Sequence, residues 1–202
     1  DKHYLDFVVS YNKWKSDDEN IYQDSTSWTD GSTPTDYEWQ SRPMHINNRS
    51  WEVKLDYENP ISEQLKLQAG YQGDFSHENT PQESYMDPNN WDGSQAVMDE
   101  AYYNRFIYDM DLHALYATTT MKFGKLGIMA GLRGEYWKVN TESYTWAQEN
   151  DPALRDKPFK KDYFQLFPSV FLSYQLTDND QFQINYTRRL QRPWGGQLNS
   201  FR

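Results

Sequence analysis

The sequence predicts an all-β protein whose strands run up and down in an antiparallel meander. Two observations carry this prediction. Apolar and polar residues alternate with a period of two in about seven segments of the chain, and at this spacing side chains point to opposite sides of a sheet. The segments are joined alternately by short turns and by long polar stretches, as in successive hairpins. No helical spacing of apolar residues competes with the alternation.

The first four segments each separate into an apolar row and a polar row of side chains. They cover residues 3–14, 48–58, 63–75 and 104–121. Their apolar rows are Leu5, Phe7, Val9 and Tyr11; Trp51, Val53, Leu55 and Tyr57; Leu65, Leu67, Ala69, Tyr71 and Phe75; and Phe106, Tyr108, Met110, Leu112, Ala114 and Tyr116. Each strand is therefore predicted to have one apolar face and one polar face.

The last three segments repeat the pattern in 125–137, 166–176 and 181–189. Their apolar rows are Leu126, Ile128, Ala130, Leu132 and Tyr136; Val170, Leu172, Tyr174 and Leu176; and Phe182, Ile184 and Tyr186. In the first of these, KLGIMAGLRGEYW, the other row contains Arg133 and Glu135 inside an otherwise hydrophobic run. This placement predicts that the second row faces water.

The connections differ sharply in length. Tight turns are predicted at 58–62, 122–125 and 177–180, and long polar loops at 16–41, 76–104 and 141–162. Loops beyond about 12–15 residues are uncommon in compact domains. Short turns at one end and long loops at the other are typical of transmembrane β-barrels of the outer membrane. The sequence thus favours part of a large transmembrane β-barrel.

The two-faced strands allow two interpretations. In a soluble β-sandwich or lipocalin-like barrel the apolar faces would lie inside, whereas in a membrane barrel they would contact lipid and the polar faces would line a wet lumen. Aromatic residues cluster near strand ends, as in the girdles of membrane barrels, and this favours the second interpretation. They are Trp14, Trp51, Tyr57, Tyr71, Phe75, Phe106, Tyr108, Tyr136, Trp137 and Phe164.

Composition excludes several classes of protein. Hydrophobic residues make up 37% of the chain, and no window of about 18 apolar residues could form a transmembrane helix. The net charge of -10 argues against nucleic acid as a partner, because phosphate binding needs a basic surface. Cysteine is absent, which excludes disulfides and thiolate chemistry within this sequence.

Three stretches of the sequence carry motifs that are typical of one known family. The most specific is Gly131-Leu-Arg-Gly-Glu-Tyr136, within FIYDMDLHALYATTTMKFGKLGIMAGLRGEYWKVNTESY (106–144), together with Phe-Pro-Ser in FPSVFLSYQLTDNDQFQINYTRRLQRP (167–193). The hairpin SWEVKLDYENPISEQLKLQAGYQGDF (50–75) is also similar. These stretches resemble TonB-dependent receptors of the Bacteroidetes type, and the resemblance covers most of 44–202 and is weaker over 1–43.

The resemblance implies a barrel of about 22 strands with a plugged lumen, energised by TonB from the inner membrane. Residues 1–202 would form a partial barrel domain, with the plug domain and the remaining strands absent from this sequence. The implied partners are the lipid bilayer, the TonB system acting through the missing plug, and an unknown nutrient. The implied location is the outer membrane.

The chain carries no recognisable catalytic motif, so we expect a protein that is not an enzyme and uses no cofactor or metal. Its four histidines are scattered. The stretch Asp87-Pro-Asn-Asn-Trp-Asp-Gly93 superficially resembles a calcium loop but has the wrong spacing and no closing glutamate.

Charged residues on the polar rows are the candidates for a lumen surface. Arg133 is expected to approach Asp109 or Asp111 across the turn at 123–124, since opposite charges on paired strands stabilise a sheet modestly. The favoured interpretation is a salt-bridge ladder that fixes strand register, and the alternative is a site that contacts the plug or guides substrate. The lumen-facing candidates are Glu52, Lys54, Asp109, Asp111, His113, Arg133 and Glu135.

The long polar loops supply the candidates for ligand capture, because exposed tryptophans near acids can stack on sugars or hold cations. These candidates are Trp28, Trp39, Trp91 and Trp146. The alternative is that these aromatic rings pack the loops on one another.

Three functions remain open at this point. The first is part of a TonB-dependent importer, the second a soluble all-β binding module such as a carbohydrate-binding domain, and the third a structural outer-membrane barrel without transport. Dependence on detergent separates the first from the second, and a plug domain upstream in the gene separates the first from the third.

Overall fold

A computed structural model describes residues 3–26, 29–30 and 36–199. Within them the chain forms one antiparallel sheet of nine strands. The strands are β1 Tyr4–Thr26, β2 Asp36–Ser62, β3 Leu65–Gln82, β4 Tyr85–Asp87, β5 Val97–Met98, β6 Asn104–Phe123, β7 Leu126–Tyr144, β8 Phe159–Gln175 and β9 Gln181–Thr187. The helices are α1 Trp146–Asn150 and α2 Gly195–Leu198, with single 3₁₀ turns at Glu100–Tyr102 and Pro152–Leu154.

The seven long strands pair in chain order, which confirms the predicted all-β meander. The order is β1-β2-β3-β6-β7-β8-β9. The short hairpin β4–β5 extends the sheet beyond the end of β3, because β4 pairs with β2 at Trp39–Ser41. The described sheet is thus a curved piece of barrel wall.

The strands are longer than the sequence predicted, and much of each expected polar loop is strand. β1 continues to Thr26, β2 already begins at Asp36, and β3 runs to Gln82. Polar side chains pair across these extensions: Ser41 donates a hydrogen bond to Glu19 over 2.7 Å. Backbone hydrogen bonds between strands do not require an apolar face. The strands therefore continue beyond the point where the alternation of apolar and polar residues ends and both faces become polar.

The three tight turns lie at one end of the sheet, as predicted. Gly124 closes the β6–β7 hairpin with a φ of +55°, a conformation that glycine adopts without a Cβ clash. The turn between β2 and β3 falls at 63–64 instead of 58–62, because β2 accommodates Pro60 through a register shift next to Ser62. Proline cannot donate to the ladder and is tolerated at such a bulge.

The register assigns every strand residue to one of two faces. We call the inner face the side covered by the C-terminal segment 188–199, and the outer face the opposite side. The outer face carries most of the apolar rows: Leu5, Phe7, Val9, Tyr11, Trp51, Val53, Leu55, Tyr57, Leu65, Leu67, Ala69, Tyr71, Leu115, Ala117, Met121, Leu126, Ile128, Ala130, Leu132, Tyr136, Phe164, Leu166, Val170, Leu172, Phe182, Ile184 and Tyr186.

This apolar band has the height of a bilayer core. On β7 it extends from Leu126 to Tyr136, and about ten residue steps of about 3.3 Å, tilted by about 40°, span about 25 Å. Aromatic residues mark its upper border, away from the tight turns, at Tyr11, Trp51, Tyr136 and Phe164.

The predicted apolar row of β6 requires a correction. The whole row lies on the inner face, and in its upper half Phe106, Tyr108 and Leu112 form a buried cluster with Trp137 and Val139 of β7. The β6 row that continues the outer apolar band begins instead at Leu115. The upper half of β6 alternates normally, but its apolar face packs against protein, and the pattern alone does not distinguish protein from lipid as the neighbour.

The short helices sit among the long connections. Helix α1 starts with a capping box, in which Gln148 N–H donates to the Thr145 hydroxyl and Thr145 N–H donates to the Gln148 side chain. Arg105 of β6 holds the helix through Glu149 at 2.7 Å. Among the described residues, no helix has the length and apolar character needed to cross a bilayer.

Candidate functional site

Paired charges line the inner face of β2 and β3. Lys54 forms an ion pair with Glu52 on the same strand, and Lys66 bonds Glu58 across the β2–β3 pair at 2.8 Å. These side chains are partly exposed, so each pair contributes little to stability. They make the surface polar and leave it open to water.

A more buried cluster lies on the same face at β7, around Glu135. Its carboxylate is bound by Arg133 at 2.6 Å and by Arg192 of the C-terminal segment, and its side chain is 8% exposed. Arg133 also donates to Gln72 at 3.0 Å and lies over the ring of Tyr116 at 5.4 Å. One carboxylate between two guanidiniums is an arrangement in which a buried charge is compensated.

The C-terminal segment 188–199 leaves β9 and folds back over the inner face. Arg188 N–H donates to Pro168 O at 3.2 Å, and Tyr108 donates to Pro193 O at 3.5 Å. Leu198 in α2 packs against the buried cluster of β6 and β7. The segment is therefore fixed by apolar packing at one end and by the Arg192–Glu135 pair at the other.

A crevice of about 250 Å³ opens between this segment and strands β7 and β8. Its lining includes Trp137 and Tyr163, whose rings stack with centroids 5.1 Å apart and planes 8° from parallel. Trp137 Nε1 and Arg192 Nε are buried without a hydrogen-bond partner among the described residues. Buried donors without partners are costly, so the crevice suits a flat or ring-bearing ligand that offers acceptor atoms.

A second cavity of about 280 Å³ adjoins the first on the other side of Glu135. Arg133, Arg188, Arg189 and Phe167 contribute to its lining. The two cavities share Glu135, Leu190 and Arg192, so the ion-paired cluster separates an aromatic compartment from a basic one.

The structure brings together only part of the predicted lumen set. Glu52, Lys54, Arg133 and Glu135 share the inner face, whereas Asp109, Asp111 and His113 lie on the outer face. The prediction that the two sets line one face was wrong, because a β7 residue of odd number pairs with a β6 residue of even number: Arg133 lies opposite Tyr116.

The expected contact of Arg133 with Asp109 or Asp111 is therefore also corrected. Asp111 lies opposite Lys138, and Asp109 is hydrogen-bonded to His77 at 2.6 Å. His113 is hydrogen-bonded to the Tyr71 hydroxyl at 2.8 Å on the outer face. The turn of the hairpin lies at 124–125, and the resulting register places Asp109 and Asp111 on the opposite face of the sheet from Arg133.

Arg192, Trp137 and Tyr163 were not among the site residues suggested by the sequence. Arg192 contacts Glu135 only because the C-terminal segment folds back, and no local sequence pattern predicts that reversal of the chain. Trp137 was assigned to the aromatic border, yet it is buried on the inner face. The Arg-Arg-x-x-Arg-Pro sequence at 188–193 was the one available signal.

The loop tryptophans divide between two places. Trp39 of β2 lies against Gly93, and Trp91 contacts Tyr37 edge to face at 5.7 Å, so these two belong to one loop cluster. Trp146 starts α1 and meets Tyr103 edge to face at 5.2 Å. Trp28 lies outside the described residues. Ligand capture by these rings stays a prediction.

The loop at 87–95 is organised around a single carboxylate. Asp87 is 1% exposed and accepts hydrogen bonds from Asn89 N–H, Asn90 N–H and side chain, and Gln95 N–H, at 2.8 to 3.2 Å. The carboxylate oxygens of Asp87 thus accept hydrogen bonds from the loop itself. Among the described residues, no group of three acidic or imidazole side chains is placed to bind a metal ion.

This loop should lose its order in acid. Desolvation raises the pKa of Asp87, but the hydrogen bonds from Gln95, Asn89 and Asn90 outweigh it and lower the pKa below the ordinary 3.8. A lowered carboxyl pKa contributes stability above the ordinary value, and this is lost as the pH falls through the folded-state pKa. Hydrogen exchange of Asn89, Asn90 and Gln95 amides, corrected for intrinsic rates, should accelerate in that window.

Asp87→Asn provides the matched control for this titration, because it keeps an acceptor oxygen but cannot titrate. Its amides should be less protected at neutral pH and show no extra loss of protection in acid. Identical acid profiles in the two proteins would assign the loss to other groups.

The whole chain can now be placed among known proteins. Its residues 1–202 match the family model described as the outer membrane protein beta-barrel family. This chain belongs to that family. Its outer face therefore contacts the lipid of the outer membrane, and its inner face lines the barrel interior. The soluble binding module considered from the sequence is thereby set aside.

Solved structures are similar at low identity. The ferric citrate transporter FecA in its unliganded form is 14% identical with a TM-score of 0.48, and the match covers 88% of this chain and 24% of that one. The ferric yersiniabactin uptake receptor FyuA from Yersinia pestis is 13% identical with a TM-score of 0.45, covering 84% and 24%. The chain thus spans about a quarter of their length. No curated protein matches it significantly.

Proposed function

We propose that the chain forms part of the wall of a TonB-dependent receptor that imports a nutrient through a plugged barrel. The observation that carries the proposal is the inner face around Glu135, where a buried carboxylate, two guanidiniums and a stacked aromatic pair border open cavities. Unsatisfied donors beside a cavity suit contact with a ligand or a plug better than a purely structural wall does. The proposal assigns binding and conduction, not catalysis.

The sequence motifs support the same assignment. Gly131-Leu-Arg-Gly-Glu-Tyr136, which resembles the receptor family, contains both Arg133 and Glu135. The motif therefore contains Glu135, the most buried charged side chain on the described inner face, and its partner Arg133. The plug, the contact with TonB and the rest of the wall belong to parts of such a receptor beyond this chain.

The inner-face residues have distinct roles in this proposal. Glu135 holds Arg133 and Arg192 in fixed positions, so that the guanidiniums present their remaining N–H groups to the two cavities. Trp137 and Tyr163 offer a flat apolar surface and a free indole N–H. The segments that carry Trp28, Trp39, Trp91 and Trp146 capture the nutrient first, and displacement of the plug under TonB then opens the lumen.

Uptake measurements test the proposal. In cells grown with a panel of radiolabelled ferric chelates and oligosaccharides, at least one compound should require both the receptor gene and TonB for uptake. A structural barrel without transport predicts altered envelope permeability but no compound with this double requirement, and that result would exclude the importer.

Once such a compound is found, Trp137→Phe tests the crevice, because it keeps a ring and removes the N–H. Uptake should fall several-fold at unchanged receptor abundance. Trp51→Phe is the matched control, since Trp51 lies on the outer face and is 49% exposed. Equal uptake by the two variants would remove Trp137 from the proposed path.

A further inference from the structure

Three cations stand together on the outer face just above the apolar band. Lys13 of β1 lies directly opposite Arg49 of β2, and Lys15 follows on the same face of β1. All three are exposed. Like charges directly opposite one another destabilise a strand pair, so this arrangement favours an anion between them.

These cations lack the partners that others in the chain have. Elsewhere in the described chain, five cations each form an ion pair with a glutamate: Lys54, Lys66, Arg105, Arg133 and Arg192. Among the described residues, none of Lys13, Lys15 and Arg49 forms an ion pair or a side-chain hydrogen bond. The carboxylates of Asp17 and Asp109 are hydrogen-bonded to His45 and His77 instead.

The height of the cluster relative to the membrane points to a specific kind of partner. Tyr11 and Trp51, whose rings lie 4.6 Å apart, border the apolar band immediately below Lys13 and Arg49. Two residue steps along a tilted strand raise the cations about 5 Å above this aromatic pair. The polar headgroup layer begins at the border of the apolar band and is about 5–7 Å thick on each side of the bilayer, so the cations lie within it.

The side of the membrane follows from the turns. The tight turns lie at the opposite end of the strands, and short turns face the periplasm in outer-membrane barrels. The cluster is therefore in the outer leaflet. We propose that Lys13, Lys15 and Arg49 bind the phosphate groups of an anionic outer-leaflet lipid. In a chain of net charge -10, this patch attracts anions where most of the surface repels them.

Another lysine pair on the same face provides a control with the same change of charge. Lys138 lies just above Tyr136, as Lys13 lies above Tyr11, but its cross-strand neighbours are Asp111 and Asp162. Lys160 lies one step further up on β8 and is exposed. Lys138→Gln/Lys160→Gln therefore removes two cations at a similar height from a region that already holds carboxylates.

The test is a titration of the full-length barrel protein in neutral detergent with diphosphoryl lipid A, followed by native mass spectrometry. Lys13→Gln/Arg49→Gln should weaken binding by about tenfold or more, whereas Lys138→Gln/Lys160→Gln should leave it unchanged. A phosphate-free glycolipid should bind all three proteins equally weakly. Thermal unfolding of each variant verifies that the barrel is intact.

Three results would overturn the proposal. Equal weakening by both double variants would show a general effect of net charge, and no weakening by either would place the lipid elsewhere. Displacement of lipid A by millimolar inorganic phosphate would identify a site for soluble anions instead of a lipid site.

Discussion

Replacing Glu135 with alanine is expected to lower the free energy of unfolding of the barrel by about 3–5 kcal/mol, because it leaves two partly buried guanidiniums without their carboxylate. Glu135 is bound by Arg133 at 2.6 Å and by Arg192, and its side chain is 8% exposed. Breaking a buried pair costs far more than the pair itself contributes. Denaturant unfolding of the full-length protein, followed by tryptophan fluorescence, measures the loss.

Glu58→Ala is the matched control. Glu58 also pairs with a cation on the inner face, but its side chain is 33% exposed and that of Lys66 is 39% exposed. Its removal should cost less than about 1 kcal/mol, the usual range for solvent-exposed pairs. Equal losses for the two alanine variants would show that burial of Glu135 does not strengthen its contribution.

A double variant separates the unpaired charge from other effects of the mutation. Adding Arg192→Met to Glu135→Ala removes one stranded guanidinium and keeps an apolar side chain in the crevice. Part of the lost free energy should return, because a buried ion pair can often be replaced by apolar groups at little cost. Arg133 retains its contacts with Gln72 and Tyr116. A further loss in the double variant would contradict this account.

The sequence could predict the strands because the membrane imposes a simple rule on them. A strand between lipid and water must alternate, and Leu126 to Tyr136 alternates accordingly. The extension of β1 to Thr26 escaped prediction because no apolar medium contacts either of its faces. In the upper half of β6, alternation was visible, but Phe106 and Tyr108 pack against protein instead of lipid.

The candidate site was less accessible from the sequence than the fold. Glu135 and Arg133 were found because charges in an apolar run are conspicuous. The pairing of Glu135 with Arg192 depends on a chain reversal after β9. The segment that reverses packs on distant strands, and no periodic pattern in its sequence predicts those contacts. The misplacement of Asp109 and Asp111 had a simpler cause. The position of the hairpin turn decides which residues of two paired strands share a face, and a register shift of one residue moves a side chain to the other face.

The assignment of faces makes a further prediction of large effect. Leu132→Arg should destabilise the barrel in a bilayer by about 2–4 kcal/mol, the cost of an arginine on the lipid face near the midplane. Leu132 lies within the apolar band of β7, opposite Ala117 of β6 and Pro168 of β8. It is 50% exposed, and in the membrane this exposed surface contacts lipid. Reversible unfolding from lipid vesicles in guanidinium measures the cost.

Met129→Arg on the same strand distinguishes a cost of lipid contact from a cost of arginine in the strand. Met129 lies on the inner face, opposite Thr120 and Phe171, where an arginine reaches water in the lumen. Its substitution should change the free energy of unfolding by less than about 1 kcal/mol, because lumen-facing positions tolerate charge. If Met129→Arg were the more harmful change, the two faces would have to be exchanged, and the cluster around Glu135 would then face lipid, where two arginines and a carboxylate could not be sustained.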